Sequence, residues 1–179
     1  MDNLEIILNL WKNLKEKERN LKLILAPRHL KRLKKIEELL HFKNLFFVRK
    51  SKIRKVKKSF AIIILDTMGE LSQIYSVADV AFVGGSLVPQ GGHNLLEPAR
   101  FSVPVLFGPY MENFKAIAQT LLDFSGGIQV KDEKELSEKI LELLADEEKR
   151  KNLGRNAQRA IREKSGGSLQ VAEIILNKL

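Results

Sequence analysis

The chain has 179 residues, 44% hydrophobic and 30% charged, with 31 basic against 22 acidic side chains and a formal charge of +9. That is an ordinary soluble balance, enough for one domain or a domain and a half around a real core. Cysteine is absent, which excludes disulfides and thiolate metal sites and fits a reducing compartment; no apolar run approaches membrane-spanning length, and no signal-peptide pattern opens the chain.

Leu4, Ile7, Leu8, Trp11 and Leu14 come first, spaced as one face of an amphipathic helix. "LKLILA" (21–26) reads as a buried strand, followed by "PRH" (27–29) and a second helical stripe at Leu30, Leu33, Ile36 and Leu40. The second strand, "LFFV" (45–48), runs into "RKSKIRKVKK" (49–58), the densest basic stretch. It contains no aromatic residue, whereas nucleic-acid modules usually present aromatic platforms or a recognisable motif. It reads first as a solvated face or loop, second as an attraction to anionic lipid, and only third as a nucleic-acid contact.

"AIIIL" (61–65) is the third strand and leads into "DTMGEL" (66–71). "VAFV" (80–83) is the fourth and leads into "GGSLVPQGGHNLLEP" (84–98). "VPVLF" (103–107) is the fifth, with "GPYMENF" (108–114) after it and a helical face at Phe114, Ile117, Ala118 and Leu121. "GIQV" (127–130) is the sixth. These strands lack polar alternation, as in sheets covered on both faces. From there the pattern is helical: Leu136, Ile140, Leu143 and Leu144, then Leu153, Ala157 and Ile161, a linker "SGGS" (165–168), and a last helix to Leu179.

Strand–helix alternation predicts parallel pairing with right-handed crossovers in a Rossmann-like, doubly wound α/β sheet with extra C-terminal helices. Such a domain ordinarily opens on a strand and a phosphate-binding turn. This chain opens inside a helical pattern, so its first strand is expected to be missing, along with a preceding domain. The expected organisation is one ligand-binding domain over 1–179, of which 131–179 is the helical part.

Ligands in open α/β sheets bind at the carboxyl ends of the strands. "PRH", "DTMGEL", the glycine cluster and "GPYMENF" all follow strands, so all four are expected to open on one rim. Gly84 and Gly85 let backbone approach a ligand, Ser86 offers a hydroxyl, and Gly91 and Gly92 allow positive φ before His93 and Asn94. Asn94 suits the N-cap of "LLEPAR", whose free amides would favour a phosphate. A tight turn that merely reverses the chain is the alternative; the ligand reading comes first because Glu97 adjoins the loop. Glu97, one turn into that helix, can accept two hydrogen bonds from a vicinal diol such as ribose, or simply complement the helix dipole. Arg28, set by Pro27, can grip a phosphate with its planar fork or form a surface salt bridge. His29 and His93 read as hydrogen-bonded structural residues rather than bases. In "DTMGEL", Asp66 or Thr67 caps a short helix, Gly69 makes the turn, and Met68 with the neighbouring amides suits a flat nucleobase. No metal-ligand spacing, Walker A loop or nucleophile elbow is present, so no metal and no cofactor is expected.

"ILAPRH" and then "LDTMGELSQIYSVADVAFVGGSLVPQGGHNLLEPARFSVPVLFGPYMENF" resemble the 3-deoxy-D-manno-octulosonic acid (Kdo) transferases of lipopolysaccharide synthesis. The run of "DTMGEL", "GGS", "GGHN" and "EP" in that order carries the likeness, which extends to about Phe114; the later helices are generic. The resemblance implies the C-terminal donor-binding half of a GT-B glycosyltransferase that moves Kdo from CMP-Kdo to a lipid A precursor, without metal and with inversion. It implies that Pro27 and Arg28 face the nucleotide, that Met68, Gly69 and Glu70 line the nucleotide and phosphate pocket, that Gly85, Ser86 and Asn94 lie near the phosphate, and that Glu97 takes the ribose. It further implies an acceptor held by an N-terminal domain that also carries the catalytic base, at the cytoplasmic face of the bacterial inner membrane with its anionic surface.

This sequence lacks the family's opening strand and "GS…GE" turn, so by itself it is expected to bind CMP weakly and to be an inactive transferase. Nucleic acid is not an expected partner; an exposed sheet edge would offer a route to a homodimer, which the sequence leaves open. Two alternatives stand beside this reading: another GT-B nucleotide-sugar enzyme, such as a UDP-sugar transferase or an epimerase, and a non-catalytic basic module binding nucleic acid.

Overall fold

A computed structural model describes residues 3–55 and 60–164. The chain divides into two compact units, Met1–Leu71 and Ser72–Leu179. All six expected strands are present, and all pair in parallel. They form two three-stranded sheets, one per unit, in place of the single sheet expected: β1 (Leu23–Leu25), β3 (Ile62–Ile64) and β2 (Phe47–Arg49) in that order, and β4 (Ala81–Phe82), β5 (Val105–Phe107) and β6 (Gly127–Gln129). The regular strands are shorter than the apolar runs, but single hydrogen bonds extend the ladders, such as the Leu65 amide to the Leu25 carbonyl and the Val130 amide to the Phe107 carbonyl, both 2.8 Å.

In the first unit the apolar stripe of α1 (Asn3–Lys17) buries Leu8, Trp11 and Leu14, and that of α2 (Leu33–Phe42) buries Ile36 and Leu40. Leu8, Trp11, Ile36 and Leu40 close over Ile62 and Ile64 of β3, with Leu23, Leu25 and Phe47 packed around them. Burial of a side chain of this size contributes about 1.5–3 kcal/mol, which is why short strands suffice. The sheet in turn fixes where the loops leaving Leu25, Arg49 and Ile64 emerge.

In the second unit a core of Val83, Leu95, Ala99, Val105, Phe107 and Leu121 packs against Ala157 and Ala160. The helices are α3 (Leu71–Tyr75), which begins at the boundary residue, α4 (Leu96–Arg100), α5 (Lys115–Asp123), α6 (Glu133–Ala145) and α7 (Glu147–Lys164). Asp132 caps α6 by accepting from the Glu135 amide at 2.9 Å, and Glu135 reaches back to the Lys131 amide at 2.8 Å.

α7 differs in detail from its sequence pattern. Its buried face is Gly154, Ala157 and Ala160, with Leu153 only half-buried. Small residues are needed because the helix lies against backbone: a Cβ on Gly154 would stand 1.9 Å from the Ser102 carbonyl oxygen, and one on Gly126 2.5 Å from the Ala157 Cα. The "SGGS" linker and the expected last helix lie outside the described residues.

Candidate functional site

Parallel pairing places loop ends together within each unit. β1 and β3 are neighbours in register, Leu25 beside Ile64, so "PRH" and "DTMGEL" leave the same end of the first sheet. β4 and β5 are likewise neighbours, Phe82 beside Leu106, so the glycine cluster and "GPYMENF" leave the same end of the second. The four loops are therefore gathered two by two.

In the first unit Arg28 is exposed beside a half-buried Pro27, and no acid among the described residues pairs with it. The surface salt bridge that its sequence allowed is not formed there. His29 is exposed and stands at the start of a 3-10 turn (Leu30–Arg32), where its carbonyl accepts from the Arg32 amide at 3.0 Å. Met68 is 77% exposed, an unusual position for a large apolar side chain. Gly69 has φ +78° with open space where a Cβ would stand. That left-handed turn brings Glu70 back toward the sheet, where its carboxylate accepts from Lys50 Nζ at 3.0 Å and from the Thr67 hydroxyl. The Thr67 bond and then Lys50 hold Glu70 below the ordinary carboxylate pKa.

Asp66 binds Ser51 instead of capping α3. It accepts from the Ser51 amide at 2.9 Å and the Ser51 hydroxyl at 2.6 Å. Burial acts to raise its pKa, but these bonds, with Arg49 nearby, leave it lowered. Lys50 and Ser51 belong to the run read as a solvated face; the sign of their role was their position directly after a strand.

In the second unit the glycines answer to packing as well as to the turn. Gly85, Gly91 and Gly92 all have positive φ, at +70°, +80° and +72°. A Cβ on Gly91 would meet the Asn113 side-chain Nδ2 at 2.3 Å, and one on Gly92 the Met111 sulfur at 2.3 Å. The Asn113 amide donates to the Gly91 carbonyl at 3.1 Å and the Gly92 amide to the Gly85 carbonyl at 3.0 Å. The glycine loop thus lies under the Asn113 and Met111 side chains and is tied to the loop after β5 by the Asn113–Gly91 backbone hydrogen bond. Ser86 is fully buried. Its hydroxyl donates to the Val83 carbonyl at 2.5 Å and accepts from the Gly108 amide at 2.8 Å, and its carbonyl takes the Tyr110 amide at 3.0 Å. With its hydroxyl so engaged, Ser86 braces the start of the glycine loop against Gly108.

Asn94 caps α4 from one position further out than its sequence suggested: Leu95 is the N-cap, and Asn94 Oδ1 accepts from the Leu96 amide at 3.0 Å. Glu97 is exposed, with the Asn94 side-chain amide 3.5 Å from its Oε1. Tyr75 lies within its field. Burial, and then the Glu97 charge, push the Tyr75 hydroxyl up to about 12, while its ring stacks on Phe101 at 6.4 Å. Among the described residues no cluster of His, Asp and Glu could hold a metal ion, and no helix is long and apolar enough to cross a membrane.

The family model for group 1 glycosyl transferases matches residues 1–160. A 3-deoxy-D-manno-octulosonic acid transferase of Haemophilus influenzae is 36% identical over 172 residues, which cover 96% of this chain and 40% of that protein. One from Aquifex aeolicus is 37% identical over 147 residues, 79% of this chain and 38% of its own length. The chain thus spans well under half of these relatives. Among solved structures, the C-terminal CMP-Kdo binding domain of WaaA from Acinetobacter baumannii superimposes with a TM-score of 0.78 at 32% identity, over 89% of this chain and 81% of that one. The C-terminal domain of the group 1 family protein LpcC from Francisella tularensis, at 14% identity and a TM-score of 0.63 over 93% of this chain and 81% of its own, shares the fold.

Proposed function

The chain belongs to the group 1 glycosyl transferases, and from that premise we propose that it is the part of a Kdo transferase that binds CMP-Kdo. The observation that carries this is the match, over most of both chains, to a domain named for binding that donor. The α/β sheets with loops at the carboxyl ends of parallel strands supply a suitable frame.

In this reading Pro27 and Arg28 face the nucleotide and the Met68–Gly69–Glu70 turn lines the nucleotide and phosphate pocket. Gly85, Ser86 and Asn94 lie near the phosphate, with Ser86 acting through its loop. Glu97 takes the ribose diol. The reaction breaks the bond between the Kdo anomeric carbon and the CMP phosphate oxygen, and the bonding electrons leave with CMP. An acceptor hydroxyl attacks the opposite face, inverting the centre, and gives its proton to a base that this chain is not assigned. The charge growing on the departing phosphate is met without metal by Arg28 and loop amides. One preorganised donor of this kind is worth about 3 kcal/mol of barrier. The acceptor is a lipid A precursor at the cytoplasmic face of the inner membrane, and an unpaired sheet edge is the route to a homodimer.

Calorimetric titration of the purified chain with CMP, UMP and UDP tests the reading. CMP is expected to bind in preference, and Arg28→Ala and Glu97→Ala each to weaken it by about tenfold or more. A preference for UDP transfers the chain to the UDP-sugar enzymes, and indifference to both substitutions removes the assigned site.

A further inference from the structure

Two consecutive residues after β2 hold the loop that follows β3. β2 and β3 are adjacent, with Arg49 opposite Ile64, so their outgoing chains run side by side. Ser51 fastens the start of the second loop by donating twice to Asp66, at 2.9 Å and 2.6 Å. Lys50 fastens its end, donating to Glu70 Oε1 at 3.0 Å, while Thr67 holds the other Glu70 oxygen. Arg49 is itself anchored through two bonds to Glu37 of α2, at 2.5 Å and 2.6 Å. Between the two fastenings Met68 and Gly69 stand exposed, and no carbonyl among the described residues takes the amides of Met68, Gly69 or Glu70.

The Lys50–Glu70 pair is about one-third exposed on both sides, 33% and 30%. A pair so open to solvent adds little to stability. Its effect is geometric: it adds a second hold, on Oε1, to a carboxylate that the Thr67 hydroxyl alone would fix through one oxygen. It also neutralises that carboxylate, which left unpaired would repel a phosphate approaching the same amides.

We propose that Lys50 is a positioning residue for the nucleotide, holding Glu70 so that the Met68–Gly69–Glu70 turn meets its ligand in one arrangement. This rests on the donor-site reading of that turn. Lys50 acts through Glu70 and not by its own contact with the phosphate.

A double-mutant cycle on the full 179-residue chain, read by CMP calorimetry, tests this. Lys50→Met is expected to weaken CMP by about tenfold and Lys50→Arg by no more than about threefold; in a Glu70→Gln background Lys50→Met is expected to add less than about twofold. If Glu70→Gln alone leaves CMP affinity unchanged, the donor-site reading of the turn and the Lys50 proposal fall together. If Glu70→Gln weakens CMP but Lys50→Met binds like the parent, or if the two losses multiply, the Lys50 proposal is overturned and the donor site stands. Lys50→Arg keeps the test open if Lys50→Met misfolds, because a tenfold loss with arginine present also overturns it.

Discussion

Gly108 shows how a single residue can decide whether two loops meet. The sequence offered it as the start of a polar loop, yet a Cβ there would stand 2.1 Å from the Ser86 carbonyl oxygen and 2.7 Å from the Leu87 amide nitrogen. Both are backbone atoms, so no rotamer change relieves the clash. Gly108→Ala is expected to lower unfolding stability by about 3 kcal/mol, measured as a shift in urea midpoint at constant slope. Ser86 belongs to the same contact. A serine after a glycine pair looks in sequence like a ligand hydroxyl, because exposure is invisible there; burial assigns it to bracing. Arg28 and Glu97 kept the accessible positions their local context suggested, Arg28 because a proline precedes it at a strand end and Glu97 because it falls one turn into a short helix whose other face is core.

Between elements, α6 and α7 are joined by charge at their shared corner. Glu142 accepts from Lys139 at 2.8 Å and from Lys149 at the start of α7, and Asp146 caps α7 by accepting the Lys149 amide at 2.8 Å. The hydrogen bond from Lys139, then that from Lys149, draws the Glu142 pKa from 4.5 to about 2. A pKa depressed in the folded state means stability that is present above the unfolded value and lost as pH falls. The contribution is therefore full above pH 4.5 and fades toward pH 2. Glu142→Gln is expected to cost less than about 1 kcal/mol at neutral pH, since the pair is partly solvated, and nothing near the acid end. Denaturant midpoints of both proteins across that range would check it. The helices themselves were largely legible: period-3.6 stripes located α1, α2, α5 and α6. The face of α7 was not, because Gly154 reads in sequence as a helix weakness and only the nearby Ser102 carbonyl makes it a requirement.

For the whole molecule, the charge of +9 separates the donor reading from the nucleic-acid alternative. A nucleoside monophosphate neutralises one or two cations, so its affinity is expected to fall less than about tenfold between about 50 mM and about 200 mM salt, whereas an oligonucleotide spanning many phosphates loses about 10³ or more. Calorimetry with CMP and with a short oligonucleotide at the two salt concentrations would distinguish them. Six apolar runs, their parallel pairing and the polar clusters at their ends were determined by the sequence alone, because burial on both faces demands continuous hydrophobic strands and turns demand glycine, and the ordered motifs pointed to the family that the comparisons bear out. The distribution of those strands over two sheets, the burial of Ser86, the clasp of Lys50 and Ser51 on the β3 loop and the seating of Met111 and Asn113 against the glycines were decided only in three dimensions. Each depends on two segments distant in sequence arriving at the same few ångströms, and hydrophobic period and turn propensity are properties of neighbours along the chain.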